Sequence, residues 1–219
     1  MSEFVQNLDH YHESPRLFPN KGYGAACRRA TGSFVAYFND DCEILPGWDR
    51  TAIDFMDANP QVGIGAIYFR DNNGPWNFQT FWQMCFGNFG VVRREAGEQV
   101  GWFDEREAFI PEYQRAECLR FYGNDVGLAL KLIDAGWGSV PIPGCKVQHY
   151  REQDEERREN NAQFVNCEGG NIAGKVLWHI WNGDTKRQSR EGPEYGKKQL
   201  QAKYEKFRHL IPASETWSG

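Results

Sequence analysis

A mixed α/β sheet flanked by helices is the fold class predicted for this chain of 219 residues, on three observations. Segments with strand-like and helix-like apolar spacing alternate along it, rather than falling into runs of one type. Phe34-Val35-Ala36-Tyr37-Phe38 reads as an apolar strand running straight into Asn39-Asp40-Asp41, which sets an acidic tip where open α/β sheets hold their ligands. With 40% hydrophobic and 15% aromatic residues, the chain can bury one substantial core and a small appendage.

Each element follows from a local pattern. Asn20-Lys21-Gly22 opens a short helix over residues 23–29, closed near Gly32, and the strand at 34–38 comes next. After the acidic tip, Leu45-Pro46-Gly47-Trp48 leads into a helix over 49–59, with Ala52, Ile53, Phe55 and Met56 on its apolar face and Pro60 as its stop. Residues 62–69 form a second strand, 71–76 a turn, 86–92 a third strand and 101–105 a loop with buried aromatics. Val126, Ala129, Leu130 and Ile133 recur at helical spacing, with Gly136 just past the helix end. Residues 139–147 are a last extended segment, interrupted by Pro141 and Pro143, that delivers His149. The mixed-charge run at 151–161 marks a boundary, so the expected organisation is a domain over 1–150 and a helical extension over 151–219 packed on it. Leu200, Tyr204, Phe207 and Ile211 supply the apolar stripe of that extension.

Composition narrows the function. A formal charge of −5 and a pI near 5.6 supply no global basic field, which argues against bulk binding of nucleic acid or an anionic membrane. No apolar run approaches the ~20 residues that span a bilayer, and the first residues lack a charged-then-apolar signal pattern, so the cytoplasm is the expected location. Cysteines at 27, 42, 85, 118, 145 and 167 form no Cys-x-x-Cys pair, which fits reduced thiols better than a zinc knuckle.

The acidic tip points to metal chemistry. Asp40 and Asp41 offer hard oxygen ligands suited to Mg²⁺ or Mn²⁺, and a divalent ion there would hold a diphosphate that carboxylates alone repel. An ordinary strand-ending turn accounts for the same residues, Asn-Asp pairs being common turn formers. Asn124 and Asp125 likewise have two readings, since both are good caps for a helix beginning near Val126. Arg93 and Arg94 offer a contact to phosphate or acceptor; adjacent strand residues face opposite ways, so one at most serves a site. Trp76, Trp82, Trp102, Trp137, Trp178 and Trp181 include candidate sugar-stacking platforms beside their ordinary role in packing.

In order along the chain stand Asn20-Lys21-Gly22-Tyr23-Gly24-Ala25-Ala26-Cys27, Ala30-Thr31-Gly32-Ser33-Phe34-Val35, Asn39-Asp40-Asp41, Leu45-Pro46-Gly47-Trp48, Val100-Gly101-Trp102-Phe103-Asp104-Glu105, Asn124-Asp125-Val126-Gly127-Leu128 and Val147-Gln148-His149. Together they resemble the inverting glycosyltransferases of family 2, which have the GT-A fold, and the resemblance runs from Asn20 to about Tyr150. It implies a GT-A-like, Rossmann-like sheet and a divalent cation, Mn²⁺ or Mg²⁺, on the diphosphate of a nucleotide sugar. The metal ligands would be Asn39 and Asp41, Asp41 the stronger, with His149 completing the site and Asp125 as the base that activates the acceptor.

The residue types suit that chemistry. Displacing a nucleoside diphosphate from a sugar carbon needs charge compensation on the leaving oxygens, and an acceptor hydroxyl needs a carboxylate within reach to take its proton. The chain also departs from the family. Only 19 residues precede Asn20, so most of the amino-terminal βαβ portion that shapes the nucleotide pocket is expected to be missing. Arg28-Arg29 replaces a further helical turn, and Asn124 and Gly127 stand where acidic residues are usual. Nucleotide binding would then draw on His10, Tyr11 or His12, or on a second copy of the chain in a homo-oligomer. The expected activity is metal-dependent, inverting transfer from a nucleotide sugar, a UDP-sugar, to the hydroxyl of a saccharide or other acceptor. Hydrolysis of the nucleotide sugar is the enzymatic alternative, and a sugar- or partner-binding module without turnover is the other.

Overall fold

The structure, a computed structural model, describes residues 19–39, 41–103, 124–150, 181 and 184–212. Helix α1 (Pro19–Arg29) precedes β1 (Phe34–Tyr37) and β2 (Cys42–Ile44), and α2 (Trp48–Ala58) leads into β3 (Val62–Asp71). A hairpin of β4 (Gln79–Phe81) and β5 (Met84–Phe86) is followed by β6 (Gly90–Arg93), α3 (Arg94–Val100), α4 (Asn124–Asp134) and β7 (Gly138–His149). Helix α5 (Thr185–Tyr204), kinked at Gly192, runs into a 3₁₀ turn over Glu205–Leu210.

Five strands make one mixed sheet in the order β1-β6-β3-β7-β2, while β4 and β5 pair separately. β3 and β7 are parallel; β6 is antiparallel to both β1 and β3, and β2 is antiparallel to β7. β1, β3 and β7 therefore point the same way, and their carboxyl ends share one side of the fold. β1 and β2 lie at opposite margins of the sheet, so the segment joining them crosses the ends of the strands between.

Packing explains the placement. The first eight residues of β3 are all buried, which is why it reads as a continuous apolar run rather than an alternating one. Ala52 and Met56 of α2 join one apolar cluster with Ala66, Val140 and Ile142. Ile64 and Val92 join a second with Val35, Tyr37, Ala96, Leu128 and Leu132, drawing in α3 and α4. Trp102 and Phe103 are each 2% exposed, as expected for the aromatics of that loop.

β7 carries its prolines by breaking register. Between the pairs Ala66↔Pro141 and Tyr68↔Lys146 the ladder is irregular, and Pro143 and Gly144 are exposed there. A proline has no N–H to give to a ladder, so the strand bulges and then pairs again up to Asp71↔His149. Gly136, at φ +94, ends α4 where the sequence predicts a stop.

Three elements escape the sequence reading, and one expected strand divides. Residues 86–92 split into β5 and β6 around Gly87–Phe89, because the chain must pass the Tyr37 side chain: a Cβ on Gly87 or Gly90 would lie 2.8 Å from its hydroxyl. β2 is too short to show a period, and α3 contains Gly97. The β4–β5 hairpin turns on Trp82 (φ +51) and Gln83 (φ +64), without the Asn or Gly that ordinarily marks such a turn.

The carboxyl-terminal helix belongs to the same core. Leu200, Tyr204 and Phe207 are at most 1% exposed, and Ile211 packs beside them. The Tyr204 hydroxyl accepts the Cys85 N–H at 3.0 Å and donates to the Ser139 carbonyl at 2.7 Å, fastening α5 to β5 and β7. Cys27, Cys42, Cys85 and Cys145 are free thiols; burial pushes Cys27 and Cys145 up to about 12 and Cys85 well up, so these three stay protonated. Among the described residues no helix is long and apolar enough to cross a membrane.

Tyr204→Phe removes both hydrogen bonds without opening a large cavity. The variant should fold and lose about 1–3 kcal/mol, the cost of stranding a buried N–H and carbonyl, read as a lower midpoint in urea unfolding.

Candidate functional site

Asp41 and His149 meet because two strands deliver them. β2 pairs with β7 so that Cys42 stands opposite His149, and the Tyr150 N–H donates to the Asp41 carbonyl at 2.8 Å. This backbone clasp sets the two side chains face to face: Asp41 Oδ2 lies 3.2 Å from His149 Nε2. Both are largely sheltered, with side chains 19% and 10% exposed.

The other imidazole nitrogen is also held. His149 Nδ1 lies 2.7 Å from Asp71 Oδ1, and Asp71 is the register partner of His149 across the parallel β3–β7 pair. Phe69 and Phe89 present ring edges to the imidazole at centroid distances of 6.2 and 5.4 Å. Asp71 is a residue that sequence reasoning missed. It was absorbed into the turn signal of Asn72-Asn73-Gly74, although an acid ending a neighbouring strand was a usable cue.

This donor set fits a hard divalent ion. Neighbouring ligands around an octahedral ion with bonds near 2.1 Å are about 3 Å apart, and the Asp41–His149 separation has that size. Among the described residues no three acidic, histidine or cysteine side chains converge on one point. Two protein ligands are nonetheless what Mg²⁺-type sites ordinarily use when substrate phosphates and water supply the rest.

The remaining expected residues fall differently. Asn39 stands at the end of β1's run, where its Oδ1 accepts the Tyr23 hydroxyl at 2.8 Å; Asp40 lies outside the described residues, as do His10, Tyr11 and His12. Asp125 sits in the first turn of α4, half-buried, with Oδ1 accepting the Val126 N–H at 2.8 Å. It is close enough to Tyr37 to act on it: burial, and then the Asp125 charge, push the Tyr37 phenol well up, so Tyr37 stays protonated and donates to the Gly87 carbonyl. Phe89, two residues beyond Gly87, is the residue whose ring edge meets His149. Asp125 and the Asp41–His149 pair are thus linked through Tyr37 and the Gly87–Phe89 loop at the carboxyl end of the sheet.

Arg93 is not brought to that end. It closes β6 opposite Phe34, the first residue of β1, and its guanidinium donates to the carbonyls of Val62 at 3.1 Å, Met56 at 2.6 Å and Asn59 at 3.4 Å. Two of these carbonyls already accept a backbone N–H, Met56 from Asn59 and Asn59 from Val62, and the fork of guanidinium N–H donors adds a second bond to each while tying the end of α2 to the start of β3. Arg94 does a similar task, donating to the carbonyls of Gly32 and Ala30. Arg93, expected as a phosphate contact, has its donors on backbone carbonyls at the end of the sheet opposite Asp41 and His149.

Comparison with known proteins agrees with this architecture. The sequence model of Glycosyl transferase family 2 matches residues 5–108. A crystal structure of GalNAc-T7 with UDP, GalNAc and Mn²⁺ superposes with a TM-score of 0.53 at 11% identity, covering 91% of this chain and 46% of the other. The mannosyltransferase PcManGT from Pyrobaculum calidifontis, in complex with GDP-Man and Mn²⁺, gives a TM-score of 0.49 at 15% identity, covering 91% of this chain and 64% of the other. The chain spans about half the length of the first of these and under two thirds of the second. No curated protein matches it by sequence.

Arg93→Met separates the structural role from the expected one. It should lower stability by about 1.5–3 kcal/mol, as lost hydrogen bonds from a charged group do, and leave the affinity for UDP with Mn²⁺ unchanged in calorimetric titration.

Proposed function

We propose that this chain, similar to glycosyl transferase family 2 over residues 5–108 and carrying a GT-A fold, is a metal-dependent glycosyltransferase that moves a sugar from a nucleotide sugar to an acceptor hydroxyl. The observation that carries the reading is the 3.2 Å approach of Asp41 Oδ2 and His149 Nε2 at the carboxyl ends of the strands. Asp41 and His149 would hold the ion. Asn39 ranks behind them because its amide oxygen already accepts from Tyr23. An acid oxygen with an imidazole nitrogen favours Mn²⁺ over an all-oxygen Mg²⁺ site. Bound there, a divalent ion supplies Lewis acidity to the leaving diphosphate.

The chain's own residues supply the rest. In an inverting transfer the acceptor oxygen forms its bond to the anomeric carbon on the face opposite the departing diphosphate. The bond from that carbon to the diphosphate oxygen breaks, and the acceptor proton passes to a carboxylate. Asp125 is the residue for that step: it is half-buried, and it lies in the first turn of a helix, where the backbone N–H groups favour negative charge. Phe69 and Phe89 exclude water from one flank of the His149 ring. UDP is the proposed nucleotide, and a saccharide the proposed acceptor.

Two measurements test the proposal. Nucleotide sugars are screened for Mn²⁺-dependent diphosphate release, with and without acceptor sugars; release that needs no acceptor would indicate hydrolysis, and none at all a binding module. Asp41→Ala and His149→Ala should each weaken Mn²⁺ binding in the presence of UDP, and unchanged affinity in both would remove the metal site.

Asp125→Asn keeps a capping side chain and removes the base. Transfer should fall ~10²–10⁴-fold while the thermal midpoint and UDP–Mn²⁺ affinity hold, since Asn caps a helix about as well as Asp. Near-normal turnover would assign Asp125 to capping alone.

A further inference from the structure

We infer that Asp71 is a positioning residue that fixes His149 as a metal ligand. This rests on the metal reading above and adds to it a residue that the sequence places in a turn. An imidazole offers a metal the lone pair of one nitrogen only if the proton resides on the other, and a hydrogen bond at that second nitrogen sets both tautomer and ring orientation. Asp71 Oδ1 stands 2.7 Å from Nδ1, closer than the 3.2 Å between Nε2 and Asp41 Oδ2. With the N–H on Nδ1, donated to the closer carboxylate, the Nε2 lone pair is left to face an ion held beside Asp41.

Asp71 is itself held in place. Its carbonyl accepts the Gly74 N–H at 2.9 Å, and the next residue, Asn72, donates its N–H to the His149 carbonyl at 2.9 Å. Gln148 Nε2 adds a bond to the Asn72 carbonyl at 2.6 Å. The strand end bearing Asp71 is thus tied by backbone to the strand end bearing His149. Phe69, two residues earlier on β3, and Phe89 bound the ring by their edges. With those walls in place, the Nδ1 contact is what selects the nitrogen presented to a metal.

The test uses Mn²⁺ alone as probe on the full chain, with affinity read by electron paramagnetic resonance and nitrogen coordination by the modulation of the bound-ion spin echo. In the unaltered protein, bound Mn²⁺ should show imidazole nitrogen modulation that His149→Ala abolishes. Asp71→Ala should weaken Mn²⁺ about 10–100-fold, the usual effect of removing such a partner, and diminish the modulation in a protein that still unfolds cooperatively. Asp71→Asn, whose amide oxygen still accepts from Nδ1, should recover most of both. Unaltered affinity and modulation in Asp71→Ala would overturn the role of Asp71 and leave the metal site standing. Absence of nitrogen modulation in the unaltered protein would overturn both.

Discussion

Parallel strands cannot be joined by a tight turn, so the pairing of β3 with β7 brings together residues that are 78 positions apart, Asp71 and His149. That ladder is the constraint on which the candidate site depends. It puts the two strand ends in register, and β2, hung on the outer edge of β7, brings Asp41 to the same place. Its cost in loop-closure entropy is met by burial, since β3 contributes to both apolar clusters.

The opposite end of the sheet is organised by cations rather than by apolar contact alone. Arg93 donates to the carbonyls of Met56, Asn59 and Val62, with its guanidinium over the Phe34 ring, and Lys131 binds the carbonyls of Val100 and Trp102. Trp102, at φ +59, needs such support because a bulky residue is strained in that conformation. Of these two structural cations, Arg93 is the one that in sequence looks like a phosphate contact.

What the sequence discloses follows from the range of each signal. β3, α2 and α4 were readable because apolar spacing over ten or more residues is a local signal, and the prolines of β7 marked its interruption correctly. Asp41 and His149 were found through their resemblance to a known order of motifs, not through their spacing. Asp71 and the task of Arg93 stayed hidden for one reason: each is defined by a partner across the fold, 78 positions away for Asp71 and 31 to 37 for Arg93. The hairpin at Trp82 was hidden for another, since its turn uses residues that ordinarily avoid positive φ and is steadied by Gln201 of α5.

The crossing between β1 and β2 has a mechanical consequence. Strands in a sheet lie about 4.8 Å apart, so the margins of a flat five-stranded sheet would be separated by about 19 Å. The chain from Tyr37 to Cys42, drawn fully taut, reaches about 18 Å at most. A flat sheet would leave the connection too short, so the sheet has to curl, and the connection acts as a tether that limits how far it can relax. Curvature and the slack of this connection are therefore one variable, whereas the approach of Asp41 to His149 is held locally by the pairing of β2 with β7.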